Sequence, residues 1–229
     1  MNYKICLSLI AFFGLTSAAV AEDPVDLGVL KDSEIQVIQK RLHPKAGKTE
    51  MGGQAGIIGN DPYTVAPKIQ LTYGAHKSET RGWEVQLGLG YGIPNGHYRL
   101  LDSPAYGKVP EATRYLASIT GGLTFSPLYA KFTQDGAKVF HHDIYFPVVA
   151  GLTIEQTVDP HLNEDAMARF ALAPTLGAGV GARVFLHNNM VLRVEMRDDL
   201  MMQFRTGTGT WNFKQNIGVH AGITFLGAK

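Results

Sequence analysis

Residues 83–93 read WEVQLGLGYGI. The odd positions are Trp83, Val85, Leu87, Leu89, Tyr91 and Ile93, all apolar. The even positions are Glu84, Gln86, Gly88, Gly90 and Gly92. Side chains alternate across the pleat of a strand, so this period of two predicts a β-strand with one apolar face. The opposite face carries mostly glycine, where a solvated sheet would carry lysine and glutamate.

The same alternation recurs outward from this stretch. Thr49 to Ile58 sets Met51, Ala55 and Ile57 against Glu50 and Gln54. Lys68 to Ala75 sets Ile69, Leu71 and Tyr73 against Lys68, Gln70 and Thr72. Tyr115 to Phe125 sets Ala117, Ile119, Leu123 and Phe125 against Ser118, Thr120 and Thr124. Asp143 to Ile154 places Ile144, Phe146, Val148, Leu152 and Ile154 on one side. Phe170 to Leu186 sets Leu172, Leu176, Val180 and Val184 against Thr175, Gly177, Gly179, Gly181 and Arg183. Met190 to Leu200 sets Leu192, Val194 and Met196 against Arg193, Glu195 and Arg197. Trp211 to Phe225 sets Phe213, Ile217, Val219 and Ile223 against Asn216, His220 and Thr224.

Eight such segments fit an all-β, eight-stranded antiparallel up-and-down transmembrane β-barrel, in which each strand needs about 9–11 tilted residues. Glycine on a solvated outer face weakens a strand without gain, whereas on the inner wall of a narrow barrel it relieves crowding. The apolar residues, Val85, Leu87, Leu89, Leu192, Val194, Ile217 and Val219 among them, are therefore expected to face lipid. Aromatics near strand ends, namely Trp83, Tyr91, Tyr115, Phe125, Phe170, Trp211, Phe213 and Phe225, fit the interfacial girdles of such barrels. The connections at 76–82 and 187–189 are short and those at 94–113 and 155–168 long, the asymmetry of short periplasmic turns and long external loops. Residues 126–141 read as a long connection on the short-turn side.

The N-terminus carries the marks of export. One positive residue, Lys4, precedes the apolar stretch Ile5 to Leu15, and Ala19-Val20-Ala21 is a small-x-small cleavage site before Glu22. The expected organisation is a signal peptide over 1–21, a polar periplasmic extension over 22–47 and an outer-membrane barrel over 48–229. Without Lys4 the chain has 20 basic and 20 acidic residues, from 21 and 20 in the full sequence. A neutral chain without a basic patch argues against nucleic acid as a partner. The single cysteine, Cys6, falls in the signal, which leaves no thiol for disulfides, metal sites or nucleophilic catalysis.

A series of short motifs in order resembles an outer-membrane β-barrel family common in myxobacteria and their relatives. Val37-Ile38-Gln39-Lys40-Arg41-Leu42, followed by Lys45, Gly47 and Glu50, is similar to the opening motif of that family, with Lys48 where an arginine is usual. Asn60-Asp61-Pro62-Tyr63 resembles its first external turn. Ser126-Pro127-Leu128-Tyr129-Ala130-Lys131 resembles its mid-chain turn, with Ala130 in place of a glycine. Asp143-Ile144-Tyr145, the glycine-alternating strand to Phe185, and Arg193-Val194-Glu195-Met196-Arg197-Asp198 complete the series. The resemblance implies location and fold. Some members are associated with gliding-motility and cell-envelope complexes, which makes envelope or motility-complex proteins, beside outer-membrane lipid and the barrel-assembly machinery, the partners it implies.

Few patterns here carry chemistry. Gly88-x-Gly90-x-Gly92 has strict period two and lacks the spacing of a dinucleotide fingerprint. The adjacent His141 and His142 point to opposite faces of a strand, so no metal site is expected, and a solvated turn is the simpler reading. His97, Asp102 and Ser103 share one external loop and are the nearest approach to a hydrolytic set. The better-supported constellation is the charge on the polar face: Glu50, Lys68, Glu84, Arg169, Arg183, Arg193, Glu195 and Arg197. Enclosed charges must pair, which predicts an ion-pair network with Glu195 held by Arg183 or Arg193. The reading that follows is a non-enzymatic anchor or scaffold without cofactor. The alternatives are a small channel gated by the lumen charges and a lipid-modifying enzyme.

Overall fold

The computed structural model describes residues 43–110, 112–134, 138–158, 168–186, 189–205 and 210–227. The strands, in chain order, are β1 (Thr49–Ile58), β2 (Thr64–His76), β3 (Arg81–Gly90), the short β4 (Ile93–Pro94), β5 (Ala112–Gln134), β6 (Lys138–Val158), β7 (Ala168–Phe185), β8 (Met190–Arg205) and β9 (Thr210–Leu226). All pairings are antiparallel. The ring runs β1-β2-β3-β5-β6-β7-β8-β9 and closes because β1 pairs with β2 on one side and β9 on the other, Ala55 lying opposite both Ile69 and Ala221. This is an eight-stranded up-and-down barrel, and closure leaves no open sheet edge around the ring. β4 lies outside the ring and pairs with Thr64 and Val65. It leads into the helix α1 (Gly96–Leu101), whose N-cap Asn95 accepts from the Tyr98 amide.

Polarity is inverted relative to a soluble barrel. Leu87, in mid-strand, is 44% exposed while its neighbour Gln86 is 1% exposed. The same contrast runs through β2, where Leu71 is outside and Gln70 inside, and through β8, where Val194 is outside and Glu195 inside. Val85, Leu89, Leu192, Ile217 and Val219 likewise point outward. Gly181 shows why the inner wall needs glycine. A Cβ there would run into the Tyr145 ring, which fills the lumen opposite it.

Four expectations need correction. β3 ends at Gly90 rather than Ile93, because the Tyr91 and Gly92 amides turn to the Pro67 and Tyr115 carbonyls. Tyr115 is not part of the outer girdle. A register shift between Tyr115 and Ala117 reverses the alternation and turns Tyr115 inward, where it is 4% exposed. Residues 126–134 and 138–141 are strand rather than loop, and the stretch from Ser126 is no turn. A bulge between Phe125 and Leu128 absorbs Ser126 and Pro127, after which β5 and β6 pair on from Leu128↔Ile144 to Gln134↔Lys138. The proline sits where the ladder needs no donor. His141 and His142 are therefore strand residues, with His141 buried rather than in a solvated turn.

The terminal end of the barrel is where β1 begins and β9 finishes. It carries the turn at 77–80, the end of β7 and start of β8, and the far ends of the paired β5 and β6. The loop end carries residues 59–63 and the β4–α1 segment.

Candidate functional site

The site is the lumen. Its inward positions follow from parity on each strand: Glu50 and Gln54 on β1, Lys68, Gln70 and Thr72 on β2, Glu84 and Gln86 on β3, Arg183 on β7, Arg193, Glu195, Arg197 and Asp199 on β8, and His220 and Thr224 on β9. All are buried. A narrow barrel therefore brings together polar groups from strands far apart in sequence.

Arg193 is the hub. Its Nη2 donates to Glu84 at 3.0 and 2.8 Å and to Glu195 at 2.6 Å, and its Nε donates to the Tyr145 hydroxyl at 2.5 Å. The Tyr145 hydroxyl in turn donates to Glu195 at 2.7 Å. Arg183 lies directly across the strand pair from Arg193. Two like charges so placed repel. Here Tyr145 lies beside both guanidinium groups, 3.9 Å from Arg183 and 4.7 Å from Arg193 to the ring centroid. Arg183 pairs with Glu50 at 3.1 Å, donates to Ser126 at 3.2 Å and reaches Asp143 at 3.9 Å. Glu50 also meets His76 at 2.8 Å and accepts from Thr224 at 2.8 Å. Arg197 pairs with Asp199 at 2.8 Å and Glu195 at 3.5 Å, and extends across the lumen to Gln86 and Gln70.

Glu195 thus lies with Arg193, while Arg183 is taken by Glu50 and Asp143. Lys68 stands apart. Its ammonium lies 5.3 Å from the Tyr115 ring, and it has no carboxylate partner among the described residues. The side chains of His220 and Gln54 also find no hydrogen-bond partner among the described residues. At the loop end Lys214 pairs with Asp61 at 2.8 Å and Glu155 at 3.5 Å. The Arg169 side chain, the cleavage site Ala21-Glu22 and residues 22–42 of the extension lie outside the described residues.

Several network members were not placed in the lumen by the sequence reading. Asp143, Tyr145 and Asp199 were legible by parity, since the apolar positions Ile144 and Phe146 leave Asp143 and Tyr145 on the inner face. Lys45 was not legible. It precedes β1, where no alternation applies, yet it is 1% exposed and its ammonium pairs with Asp143. Burial holds that ammonium below its ordinary pKa range, while Asp143 and Glu79 pull the other way.

Around Arg183 and Arg193 the network leaves little room. A cavity lined by Glu50, His76, Glu84, Arg183 and Arg193 has a volume of about 10 Å³, the lower bound for a single water. The other candidate chemistry is not assembled. His97 lies in α1, and the Ser103 hydroxyl donates to the Leu100 carbonyl at 2.6 Å, turned to the backbone instead of a base. No group of three potential metal ligands occurs among the described residues.

No family model matches the chain, and no curated protein matches it. Among solved structures it is similar to Neisserial surface protein A at 11% identity, covering 78% of this chain and 95% of that one, with a TM-score of 0.48. It is similar to a major outer membrane protein from Thermus thermophilus at 14% identity, covering 79% and 99%, with a TM-score of 0.41. The attachment invasion locus protein Ail of Yersinia pestis is 14% identical over 79% and 99%, with a TM-score of 0.38.

Proposed function

We propose that the chain is an outer-membrane barrel with a sealed lumen, exported through its N-terminal signal, that anchors an envelope assembly and performs no catalysis. One observation carries the reading: a closed ring whose outer face is apolar and whose inner face is charged and paired. In water such an outer surface would leave Leu71, Leu87, Ile119, Leu176, Val194 and Ile217 exposed together, far beyond the apolar patch a soluble monomer tolerates. In a bilayer the same surface is matched to its solvent, and closure satisfies the backbone.

The anchoring role is supported by what projects from the ring. The β5–β6 hairpin continues past the turns of the other strands at the terminal end, where bacterial barrels keep their periplasmic side. The ordered motifs that resemble the myxobacterial family point the same way. An envelope or motility-complex protein is the expected partner, with the barrel-assembly machinery required for insertion.

Planar-bilayer recording of the purified protein tests the sealed lumen. A sealed anchor gives no steady current, whereas a steady ion current through the monomer would replace this reading with a small channel. Lipid A profiles from cells with and without the protein test the enzymatic alternative, and the anchor predicts identical profiles.

A further inference from the structure

The segment before β1 does more than lead into the barrel. Residues 43–48 cross its terminal mouth and are held at both sides. On one side the Lys45 and Ala46 amides donate to the Glu79 carboxylate at 3.1 and 2.9 Å, in the turn between β2 and β3. The Gly47 amide donates to the His76 carbonyl at 2.7 Å, and the turn that permits this needs the positive φ of 75° at Gly47. On the other side the His43 ring lies flat on Phe185, with centroids 5.3 Å apart and planes at 4°, and meets His141 edge-on at 5.5 Å. His141 is itself fixed by the Tyr129 hydroxyl at 3.0 Å.

Between these holds Lys45 reaches into the lumen. Its partner Asp143 is on β6, four strands from β1 in either direction around the ring. A surface-bound tail has no need to bury a lysine, and a lysine is costly to bury unless it is paired. Asp143 is also the carboxylate that Arg183 reaches at 3.9 Å, so the segment is wired into the same lumen network.

We propose that residues 43–48 form a withdrawable cork, with Lys45 as its tip, which closes the terminal mouth and opens it when the chain preceding His43 is pulled. The cork deepens the sealed-lumen reading and rests on it. Removing Lys45 leaves Asp143 with Arg183 alone and uncovers the mouth, and Glu50, paired with Arg183 and His76, is the next layer of the network below it. A partner gripping the extension would therefore loosen the mouth end of the network, and through it the seal that holds back small ions.

Two measurements on the full-length mature protein test this. In the wild type, a water-soluble amine reagent should label Lys45 about tenfold or more slowly than Lys48, because it must wait for local opening. Equal rates would overturn the cork. In planar bilayers, Lys45→Gly and Glu79→Gln should each convert a silent barrel into one with discrete openings, with folding checked by heat-shifted gel mobility. Glu79→Gln leaves the lysine in place while weakening the backbone hold and removing the negative charge beside Lys45, so it reports even if Lys45→Gly does not fold. Folded variants that stay silent would overturn the cork and leave the sealed-lumen reading intact. A steady current in the wild type would overturn both.

Discussion

The two walls of the lumen are built differently. From β6 to β8 the wall is dense with charge, and its arginines, Arg183, Arg193 and Arg197, each have at least one carboxylate within 4 Å. Across the lumen, β1, β2 and β9 present Gln54, Lys68, Thr72 and His220, whose side-chain polar atoms find no hydrogen-bond partner among the described residues. Both walls are buried, so burial alone does not dictate pairing. Where long side chains can span the barrel, they reach carboxylates from other strands. The other wall is thinned by glycines such as Gly56 and Gly222, and several of its polar side chains stop short of hydrogen-bond distance. The paired side chains, Glu50 of β1 among them, therefore help fix register and closure, and the unpartnered ones can change with little cost to either.

That contrast sets the ranking of effects. Glu195→Ala should be the most damaging change in the lumen. It leaves Arg193 to Glu84 and Glu50 and the Tyr145 hydroxyl without its acceptor, and breaking one partner of a buried pair costs about 3–5 kcal/mol. Equilibrium unfolding from lipid vesicles measures it. A loss nearer 1 kcal/mol or less, as at exposed pairs, would mean the paired wall is wet. Leu87→Arg tests the outer surface of the same barrel. An arginine at the bilayer midplane should cost about 2–4 kcal/mol, and a matching loss for a polar replacement at Gln86 would erase the difference between outside and inside. Tyr145→Phe keeps the ring between the arginines and removes the hydroxyl shared by Arg193 and Glu195. It should cost about 1–3 kcal/mol, the range for orphaned buried polar groups. Lys68→Met on the unpaired wall should change stability by no more than about 1 kcal/mol, or raise it, since no partner is left behind. A loss as large as that of Glu195→Ala would show that Lys68 holds a partner and that the two walls are alike.

Much of this was legible in the sequence, and for one reason. A strand set between lipid and a polar lumen alternates, so Trp83 to Leu89 declares its own orientation, and parity places Glu84, Arg193, Glu195 and Arg197 on one inner surface. Parity fails wherever the ladder slips. Tyr115 has the parity of Ala117 and Ile119, yet the bulge between Tyr115 and Ala117 turns it inward. Pro127 breaks the alternation after Phe125, so a continuing strand reads as a loop. Cross-strand neighbours are also invisible to parity, which is why Arg183 was free to be matched with Glu195 although it faces Arg193. Lys45 illustrates a deeper limit. Its burial comes from a segment folding across a mouth that exists only once the ring has closed, and no local pattern encodes that.

The central claim is that the apolar face meets lipid, and the two native tryptophans test it. Trp83 begins β3 at the terminal end and is 44% exposed, and Trp211 begins β9 at the loop end and is 58% exposed. They should lie in the two opposite interfaces of the bilayer. Tryptophan fluorescence of the protein folded into vesicles of brominated phosphatidylcholine, with Trp83→Phe and Trp211→Phe to separate the signals, reads their depth. The account predicts strong quenching of both, greatest when the bromines lie near the headgroups and weaker when they lie at the bilayer centre, with little quenching by aqueous acrylamide. Quenching of both tryptophans by acrylamide and of neither by brominated lipid would contradict it.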